Sequence, residues 1–344
     1  MNTNGKNQLP PPLYTTCWGG AYVGDSIELF AGVPDESVDL VVTSPPFALQ
    51  RQKAYGNLTR EPYVDWLVSF AKPVWRVLKP AGSLVLDLGG AYESGRPVRS
   101  LYNFRVLVRL CDEFGFRLAE EFFWFNPAKL PSPIEWVNKR KIRVKDAVNT
   151  VWWLSKTDFP KADVRRVLVP YSERMRKLLR DSSRFYTPKK RPSGHDISGN
   201  FGVDNGGAIP PNLLEFPNTD SNSHYLRSCK LLNIESHPAR FPEKLPAFFI
   251  NFLTDPHDLV LDIFAGSNTT GYAAEKLGRR WLAFEKDREY LAASAFRFMQ
   301  DSSEDGLAAR WHELISGDEP ATIEEAQMRF CEGIAEHVPK RTKP

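Results

Sequence analysis

Apolar residues occur along the 344-residue chain in short continuous runs, which polar loops and helix-like segments separate. Continuous runs of this kind are typical of parallel strands that are buried on both faces of a sheet. A helix is predicted at residues 270–277, and Gly278 is a typical helix stop. The pattern therefore predicts an α/β fold. The predicted strands are residues 38–42, 83–87, 121–125, 150–154, 259–261 and 281–285.

The strand at residues 259–261 leads into the small residues 265–267 and then into the predicted helix. Small residues let the backbone approach a ligand closely, and the helix start exposes amide donors at the carboxyl edge of the sheet. Glu285 ends the next strand, 23 residues after Asp262, which is near the spacing at which an acidic side chain meets ribose hydroxyls. Asn268 stands where a dinucleotide fingerprint would have a second glycine. A glycine-containing tight turn of any α/β fold is the alternative interpretation.

A second strand, at residues 38–42, ends in the sequence Thr-Ser-Pro-Pro-Phe. Two prolines in succession force a rigid, extended corner at the strand end. The Ser44 hydroxyl and the Pro45 carbonyl can accept hydrogen bonds from an exocyclic NH2 group, and Phe47 can stack on the ring that carries that group. The alternative is a loop breaker, Pro45-Pro46, with an incidental aromatic residue.

Together these elements resemble the β group of DNA amino-methyltransferases, in which a Ser/Asp/Asn-Pro-Pro-Tyr/Phe block precedes the target-recognition region and a Phe-x-Gly block follows it. The likeness extends from about residue 20 to residue 300. It implies a circularly permuted Rossmann-like sheet with a target-recognition insertion, S-adenosylmethionine as methyl donor, and double-stranded DNA as partner. Within the family, serine before Pro-Pro goes with methylation of cytosine N4, and aspartate more often with adenine N6.

The resemblance also implies roles for residues that periodicity does not single out. Asp25 matches an acidic position that contacts the adenosine of the cofactor, segment 237–244 matches one that packs over its methionine end, and Asp87 matches the partner of Ser44. Without the resemblance, Asp25 would be a helix cap and segment 237–244 a loop. The predicted catalytic residues are Ser44, Pro45, Pro46, Phe47 and Asp87. The predicted cofactor-binding residues are Asp25, Thr43, His237, Phe241, Asp262, Phe264, Ala265, Gly266, Ser267, Thr269, Thr270 and Glu285.

Charge is distributed unevenly, although a net charge of +3 is too small to indicate a nucleic-acid partner. Residues 160–195 carry 11 Lys or Arg against 3 Asp or Glu, with aromatic residues between them. Such a block suits phosphate contacts, and a solvated helix face is the alternative. The Gly-, Pro- and Asn-rich segment that follows is typical of a functional loop. The predicted DNA-binding residues are Lys139, Arg140, Lys141, Arg165, Arg166, Lys189, Lys190, Arg191 and Asn205.

The expected organisation is a catalytic half at residues 14–156, a target-recognition region at 157–235, a cofactor-binding half at 236–300 and a C-terminal tail at 301–344. No apolar stretch is long enough to span a membrane and no signal-peptide core is present, so a cytoplasmic enzyme is expected. Four cysteines without a Cys-x-x-Cys, and six unclustered histidines, predict no metal site and no disulfide framework. None of the cysteines has the context of a C5-methylating nucleophile.

Three alternatives remain open at this point. The same chemistry can act on adenine N6 or on RNA, or the fold can serve a catalytically silent DNA-binding protein, against which the intact residues 44–47 and Asp87 count. A small-molecule Rossmann enzyme would not need the long basic insertion. Likeness within the recognition region implies CAGCTG as the DNA site. Family habit implies a companion restriction endonuclease, as a genetic and not a physical partner.

Overall fold

The computed structural model describes residues 8–47, 60–181, 203–219 and 222–323. In this part of the chain a central sheet is flanked by helices, as the alternating strands and helices of the sequence predict. Its strands are β1 (Tyr14–Thr15), β2 (Gly19–Val23), β3 (Val38–Thr43), β4 (Leu78–Leu88), β5 (Arg117–Phe125), β6 (Val148–Ser155), β7 (Leu213–Glu215), β8 (Leu259–Asp262), β9 (Arg280–Glu285) and β10 (Ala321–Thr322).

Several of the described helices connect strands that are neighbours in the sheet. None of the helices in the described ranges is both long and apolar enough to cross a bilayer. The helices are α1 (Ser26–Leu29), α2 (Arg60–Val68), α3 (Ala71–Val77), α4 (Tyr102–Phe114), α5 (Glu173–Arg180), α6 (His224–Leu231), α7 (Lys244–Leu253), α8 (Thr269–Lys276), α9 (Arg288–Ser294) and α10 (Glu304–Ser316).

The strand order is β10-β1-β2-β9-β8-β3-β4-β6-β5-β7. The five central strands from β2 to β4 are parallel, whereas β6 runs antiparallel to both β4 and β5. All six residues of β3 are buried, as expected for a central parallel strand. Because β3 lies between β8 and β4, the late and early halves of the chain share one sheet. This arrangement confirms the circularly permuted Rossmann-like fold.

The tryptophan-rich strands β5 and β6 pair with each other, with Glu121 opposite Trp152. Trp124, Trp152 and Trp153 are buried in the two hydrophobic clusters that lie on either side of the sheet. These tryptophans therefore stabilise the sheet by packing.

Two segments outside the two predicted halves of the sheet also pack into the core. Residues 304–322, which were expected to belong to a tail, form α10 and β10, because Leu307 and Leu314 lie two helical turns apart and are both buried. Strand β7 extends the sheet by pairing with β5. Tyr225 of α6 is buried in the same hydrophobic cluster as Trp124 and Trp153. The predicted recognition region therefore reaches the core at its C-terminal end.

One expectation about the cysteines is wrong, since Cys17 is disulfide-bonded. The sequence argument rested on the lack of a Cys-x-x-Cys motif, which does not exclude other pairings. Cys111, in α4, and Cys229, in α6, are free thiols.

Candidate active site

A cavity of about 840 Å³ opens at the carboxyl edge of the parallel strands. The residues that directly follow β2, β3, β8 and β9 line this cavity, together with Asp87 near the end of β4. Ligands of open α/β sheets bind at this edge, because the strands end there and the loops diverge. Most of the predicted site residues lie in its wall.

The catalytic corner is built at the ends of β3 and β4. The Ser44 hydroxyl donates a hydrogen bond to Asp87 Oδ2 at 3.0 Å, and Asn149 Nδ2, on β6, donates to Asp87 Oδ1 at 3.2 Å. Asp87 is only 4% exposed, and this burial raises the pKa of its carboxyl to about 6. The two hydrogen bonds and the positive charge of Lys129 act in the opposite direction. Asp87 therefore changes its charge state close to neutral pH.

Phe47 forms one side of the same corner. A Cβ atom at Gly89 would lie 2.5 Å from Phe47 Cε2, so the aromatic ring occupies the space that the glycine leaves free. Tyr102, which is buried, donates its hydroxyl hydrogen bond to the Gly89 carbonyl and fixes that segment. Phe47 thus lines the cavity in a defined position beside Ser44.

The turn after β8 forms the floor of the other half of the cavity. Gly266 has a φ of +51°, and a Cβ there would lie 2.9 to 3.1 Å from the His237 ring. That ring is held by a 2.6 Å hydrogen bond between Nδ1 and the Ala239 carbonyl oxygen, and it packs edge-on against Tyr290. The His237 segment therefore closes over the turn at a distance that only glycine permits.

Glu285 and Asp25 lie at neighbouring strand ends. Glu285 accepts hydrogen bonds from the backbone amides of Gly266, at 2.8 Å, and Asp287, at 3.0 Å, and burial raises the pKa of its carboxyl. Asp25 caps α1 by accepting from the Ile27 amide at 3.0 Å. Both carboxylates also line the cavity, so for Asp25 the two readings of the sequence, cap and cavity residue, are compatible.

Three of the predicted cofactor-binding residues do not line the cavity. Asp262 is buried and accepts hydrogen bonds from the hydroxyls of Thr43 and Thr270, each at 2.7 Å, and from the Phe264 amide at 3.1 Å. Burial raises its pKa. This cluster joins the ends of β3 and β8 to the start of α8. The predicted cofactor-binding residues that do line the cavity are Asp25, His237, Phe241, Phe264, Ala265, Gly266, Ser267, Thr269 and Glu285.

Sequence reasoning missed a buried arginine that supports the turn. Arg297 donates from Nε to the Ser267 carbonyl at 2.6 Å and from Nη2 to the Ser267 hydroxyl at 3.0 Å. Its guanidinium also lies over the ring of Tyr225, whose hydroxyl accepts a hydrogen bond from the His237 amide. Arg297 therefore supports the turn after β8 directly, and it supports the His237 segment through Tyr225. The available signal was a single charge within the apolar residues 291–299.

Asn268 explains the missing second glycine. It adopts the left-handed conformation, with a φ of +49°, and its side chain accepts a hydrogen bond from the Gly271 amide to cap α8. Its Nδ2 donates to the buried Tyr14 hydroxyl at 2.9 Å. Asparagine tolerates this backbone conformation and supplies the cap, which glycine cannot do.

Sequence reasoning also missed an aromatic wall of the cavity. Trp66, in α2, and Phe70, just after it, pack against Phe264, with ring centroids 5.4 and 5.0 Å apart. All three line the cavity, as does Tyr63. Nothing in the local sequence of α2 distinguishes these residues from ordinary core residues.

The predicted DNA-binding residues fall into separate groups. Lys139 and Arg140 pair with Glu135, and Lys141 is exposed beside them. Exposed Arg165 pairs with Asp163. The backbone N–H of the exposed Asn205 donates a hydrogen bond to the Tyr171 hydroxyl. Lys189, Lys190 and Arg191 lie outside the described residues.

Arg166 differs from these residues, because its guanidinium contacts the protein itself. It donates to the Thr254 carbonyl at 2.6 Å and to the Asp255 carboxylate. These contacts join the segment after β6 to the end of α7. Two of the guanidinium nitrogens of Arg166 therefore have partners within the fold, and its role as a phosphate contact stays a prediction.

The fold and this site define a class of enzyme. A family model described as DNA methylase, covering N6 and N4 methyltransferases, matches residues 38–296. The chain belongs to this family, and it is a DNA methyltransferase that acts on amino groups. The resemblance to the β group is thereby confirmed.

Particular relatives are closely similar. The chain is 62% identical over 308 residues to the type II methyltransferase M.PvuII of Proteus hauseri, which covers 89% of this chain and 92% of the relative. A solved structure titled PvuII DNA methyltransferase (cytosine-N4-specific) superposes with a TM-score of 0.75 at 53% identity, covering 92% of this chain and 99% of that one. The type II methyltransferase M.BglII of Bacillus subtilis is 26% identical over 286 residues, covering 83% of this chain and 70% of the relative.

Proposed function

We propose that this enzyme transfers the methyl group of S-adenosylmethionine to the N4 amino group of cytosine in duplex DNA, with CAGCTG as its site. The observation that carries the proposal is the Ser44–Asp87 hydrogen bond in the same cavity as the Gly266 turn. The serine before Pro-Pro and the similarity to M.PvuII support cytosine N4 over adenine N6.

The cavity residues fit S-adenosylmethionine by their chemistry. Glu285 ends β9 as a half-buried carboxylate, which suits ribose hydroxyls, and Asp25 lies at the neighbouring strand end. Gly266 leaves the space that a side chain would fill, and Phe264 offers an aromatic face. When bound, the cofactor supplies a methyl group on a positively charged sulfur. The residues of the chain hold the cofactor, exclude water and position the acceptor amine opposite the methyl group.

The target amine is a poor nucleophile, because its lone pair is delocalised into the cytosine ring. Ser44 and the Pro45 carbonyl lie in the cavity wall, where both oxygens can accept hydrogen bonds from the NH2 group. Drawing its hydrogens toward acceptors favours a more pyramidal and nucleophilic nitrogen, and a fixed position reduces the entropic cost of the reaction. No covalent attack on the base is required.

Asp87 serves as the positioning and proton-accepting partner of Ser44. Its ionised carboxylate accepts the Ser44 hydrogen, which leaves the serine lone pairs directed to the amine, and it receives the proton that the amine releases through Ser44. A pKa of about 6 suits this task better than that of an exposed aspartate, because a stronger base holds the proton more readily.

The DNA must deliver its base into the cavity, since an amine inside a duplex cannot reach a site at the sheet edge. Base-modifying enzymes rotate the target nucleotide out of the helix for this reason. Phe47 then provides a face for the extruded ring to stack on. The exposed Lys139, Arg140 and Lys141 suit contacts with the phosphates on either side. Arg165 lies at the other edge of the sheet, where the Asp163 backbone amide donates to the Phe252 carbonyl. A companion restriction endonuclease is proposed as a genetic neighbour only.

The function is tested by incubating the purified enzyme with S-adenosylmethionine and duplexes that contain or lack CAGCTG. Hydrolysed nucleosides are then identified by mass and by comparison with N4-methylcytosine and N6-methyladenine standards. We expect N4-methylcytosine, formed only in the CAGCTG duplex. N6-methyladenine would favour the adenine enzyme, and DNA binding without any methylated product would favour the silent DNA-binding protein.

Replacing Asn149 with alanine should shift the pH dependence of turnover. If Asp87 must be ionised, turnover falls as the pH falls through about 6. Asn149 donates a hydrogen bond to the ionised carboxylate, so its removal raises the pKa of Asp87 and moves the acidic limb to higher pH. Turnover measured from pH 5 to 9 checks this.

The matched control is Thr150→Val on the same strand, because its hydroxyl donates to the Leu88 carbonyl and not to Asp87. This variant should keep the acidic limb of the native enzyme. An Asn149→Ala profile that superposes on the native profile would exclude Asp87 as the titrating group.

A further inference from the structure

The connection between β5 and β6, residues 126–147 and called here the β5–β6 loop, exposes an unusual amount of aliphatic surface. Leu130 is 80% and Val144 is 86% exposed. Single exposed apolar residues are ordinary on protein surfaces, but several in one loop mark an interaction site. The exposed aliphatic residues of this loop are Leu130, Ile134, Ile142 and Val144.

The two most exposed of these residues are chain neighbours of residues at or near the cavity wall. Lys129 lines the cavity, and Leu130 follows it directly. The Lys145 ammonium group donates to the Lys129 carbonyl at 3.3 Å and to the Pro127 carbonyl at 3.0 Å, which brings the neighbour of Val144 to the same place. The base of the loop is tied by the Asn126 amide, which donates to the Ala147 carbonyl at 2.9 Å.

The charge of the loop identifies its partner. Residues 126–147 contain six Lys or Arg and two Asp or Glu. Both acidic residues are already neutralised, Glu135 by Lys139 and Arg140 and Asp146 by Arg99. A basic loop with aliphatic side chains fits a polyanion that also offers apolar faces. Duplex DNA has both properties, and it is the substrate that the adjacent cavity requires.

We propose that Leu130 enters the duplex beside the target base pair and occupies the space that the extruded cytosine leaves. Val144 then lies at the edge of the same base-pair step. This inference rests on the proposed function. Apolar side chains placed between base steps stabilise unstacked DNA, and the lysines and arginines of the loop hold the flanking phosphates while they do so. Leu130 thereby keeps the cytosine in the cavity long enough for methyl transfer.

Leu130→Ala is tested on two CAGCTG duplexes, one with guanine and one with an abasic site opposite the target cytosine. In single-turnover assays we expect the variant to be at least about tenfold slower than native enzyme on the paired duplex. It should be within about twofold of native enzyme on the abasic duplex, because that cytosine has already lost its pairing partner. Leu130→Met should retain most of the native rate on both, since it keeps the apolar bulk.

Phe159→Ala provides the matched control. Phe159 is 90% exposed, but it follows the opposite end of β6, where Ser155 pairs with Ser83, far from the Leu88–Thr150 end that faces the cavity. Its rates should equal those of native enzyme on both duplexes. Because Leu130 and Phe159 are both exposed, both alanine variants should keep the native melting temperature.

Two results with Leu130→Ala would overturn the inference while the proposed function stands. One is a native rate on the paired duplex, and the other is an equal loss on both duplexes, which would mean that Leu130 supports the cavity itself. A native enzyme that methylates neither duplex would overturn the proposed function, and the inference would fall with it.

Discussion

Replacing Ser44 with alanine should reduce turnover at least about tenfold, which is a loss of at least roughly 1.4 kcal/mol of transition-state stabilisation. The physical reason is that the variant loses one of the two acceptors proposed for the target amine and also the hydroxyl that links it to Asp87. The affinity for S-adenosylmethionine should remain largely intact, because the turn that is proposed to hold the cofactor follows β8. Turnover under saturating cofactor and titration of cofactor binding measure the two quantities separately.

The comparison between the two quantities is the control for this experiment. A parallel loss of cofactor binding and of thermal stability would indicate a collapsed cavity and not a missing acceptor. Native turnover in Ser44→Ala would refute the role of Ser44, and with it the assignment of this corner as the catalytic one.

Replacing Gly266 with alanine should weaken S-adenosylmethionine binding at least about tenfold. A left-handed backbone at a residue with a Cβ costs about 1–2 kcal/mol. The added methyl group would also lie 2.9 to 3.1 Å from the His237 ring, so the ring or the turn must move. Because both form the wall of the cavity, the movement changes the shape of the proposed cofactor site. Isothermal titration of the cofactor gives the change directly.

Gly115→Ala is the matched control for backbone strain. Gly115 also has a positive φ, of +76°, but it lies at the end of α4 and an added Cβ would approach nothing closer than 3.8 Å. This variant should lose stability without losing cofactor affinity. Equal affinities for the two variants would show that the closeness of His237 to the turn has no consequence for binding.

The central fold was predictable because its strands are buried on both faces. A parallel strand that helices cover on each side has to be largely apolar, and β3 and β8 contain such apolar runs at residues 40–42 and 259–261. Ser44, Asp87 and Glu285 were predictable because polar residues at the ends of such strands converge at one edge. The sequence and the resemblance together therefore named about half of the residues that line the cavity.

What the sequence could not supply depends on contacts between distant elements. Asn149 lies on a strand where a polar residue has no distinctive spacing, and Arg297 is visible only as a single charge among apolar residues. Their roles arise only because Asp87 and Ser267 lie opposite them. Arg166 shows the converse case, in which tertiary structure adds contacts that the sequence does not indicate. In the sequence Arg166 is one of many basic residues in segment 160–195. In the folded chain its guanidinium donates hydrogen bonds to Thr254 and Asp255.

The tail was misjudged for a similar reason. An acidic composition dominates residues 301–336, and it hides the two leucines of α10 whose spacing places them on one buried face. Composition averages over a helix, whereas burial depends on which side of the helix each residue occupies.

Asp262 is absent from the cavity surface, yet it receives hydroxyl hydrogen bonds from Thr43, 219 positions earlier, and from Thr270, eight positions later. One buried carboxylate thus sets the separation between the two compartments that donor and acceptor are proposed to occupy. The long stretch of chain between them can change in length and composition without altering that separation. A family built in this way can acquire new DNA recognition sequences while its methyl-transfer geometry stays the same.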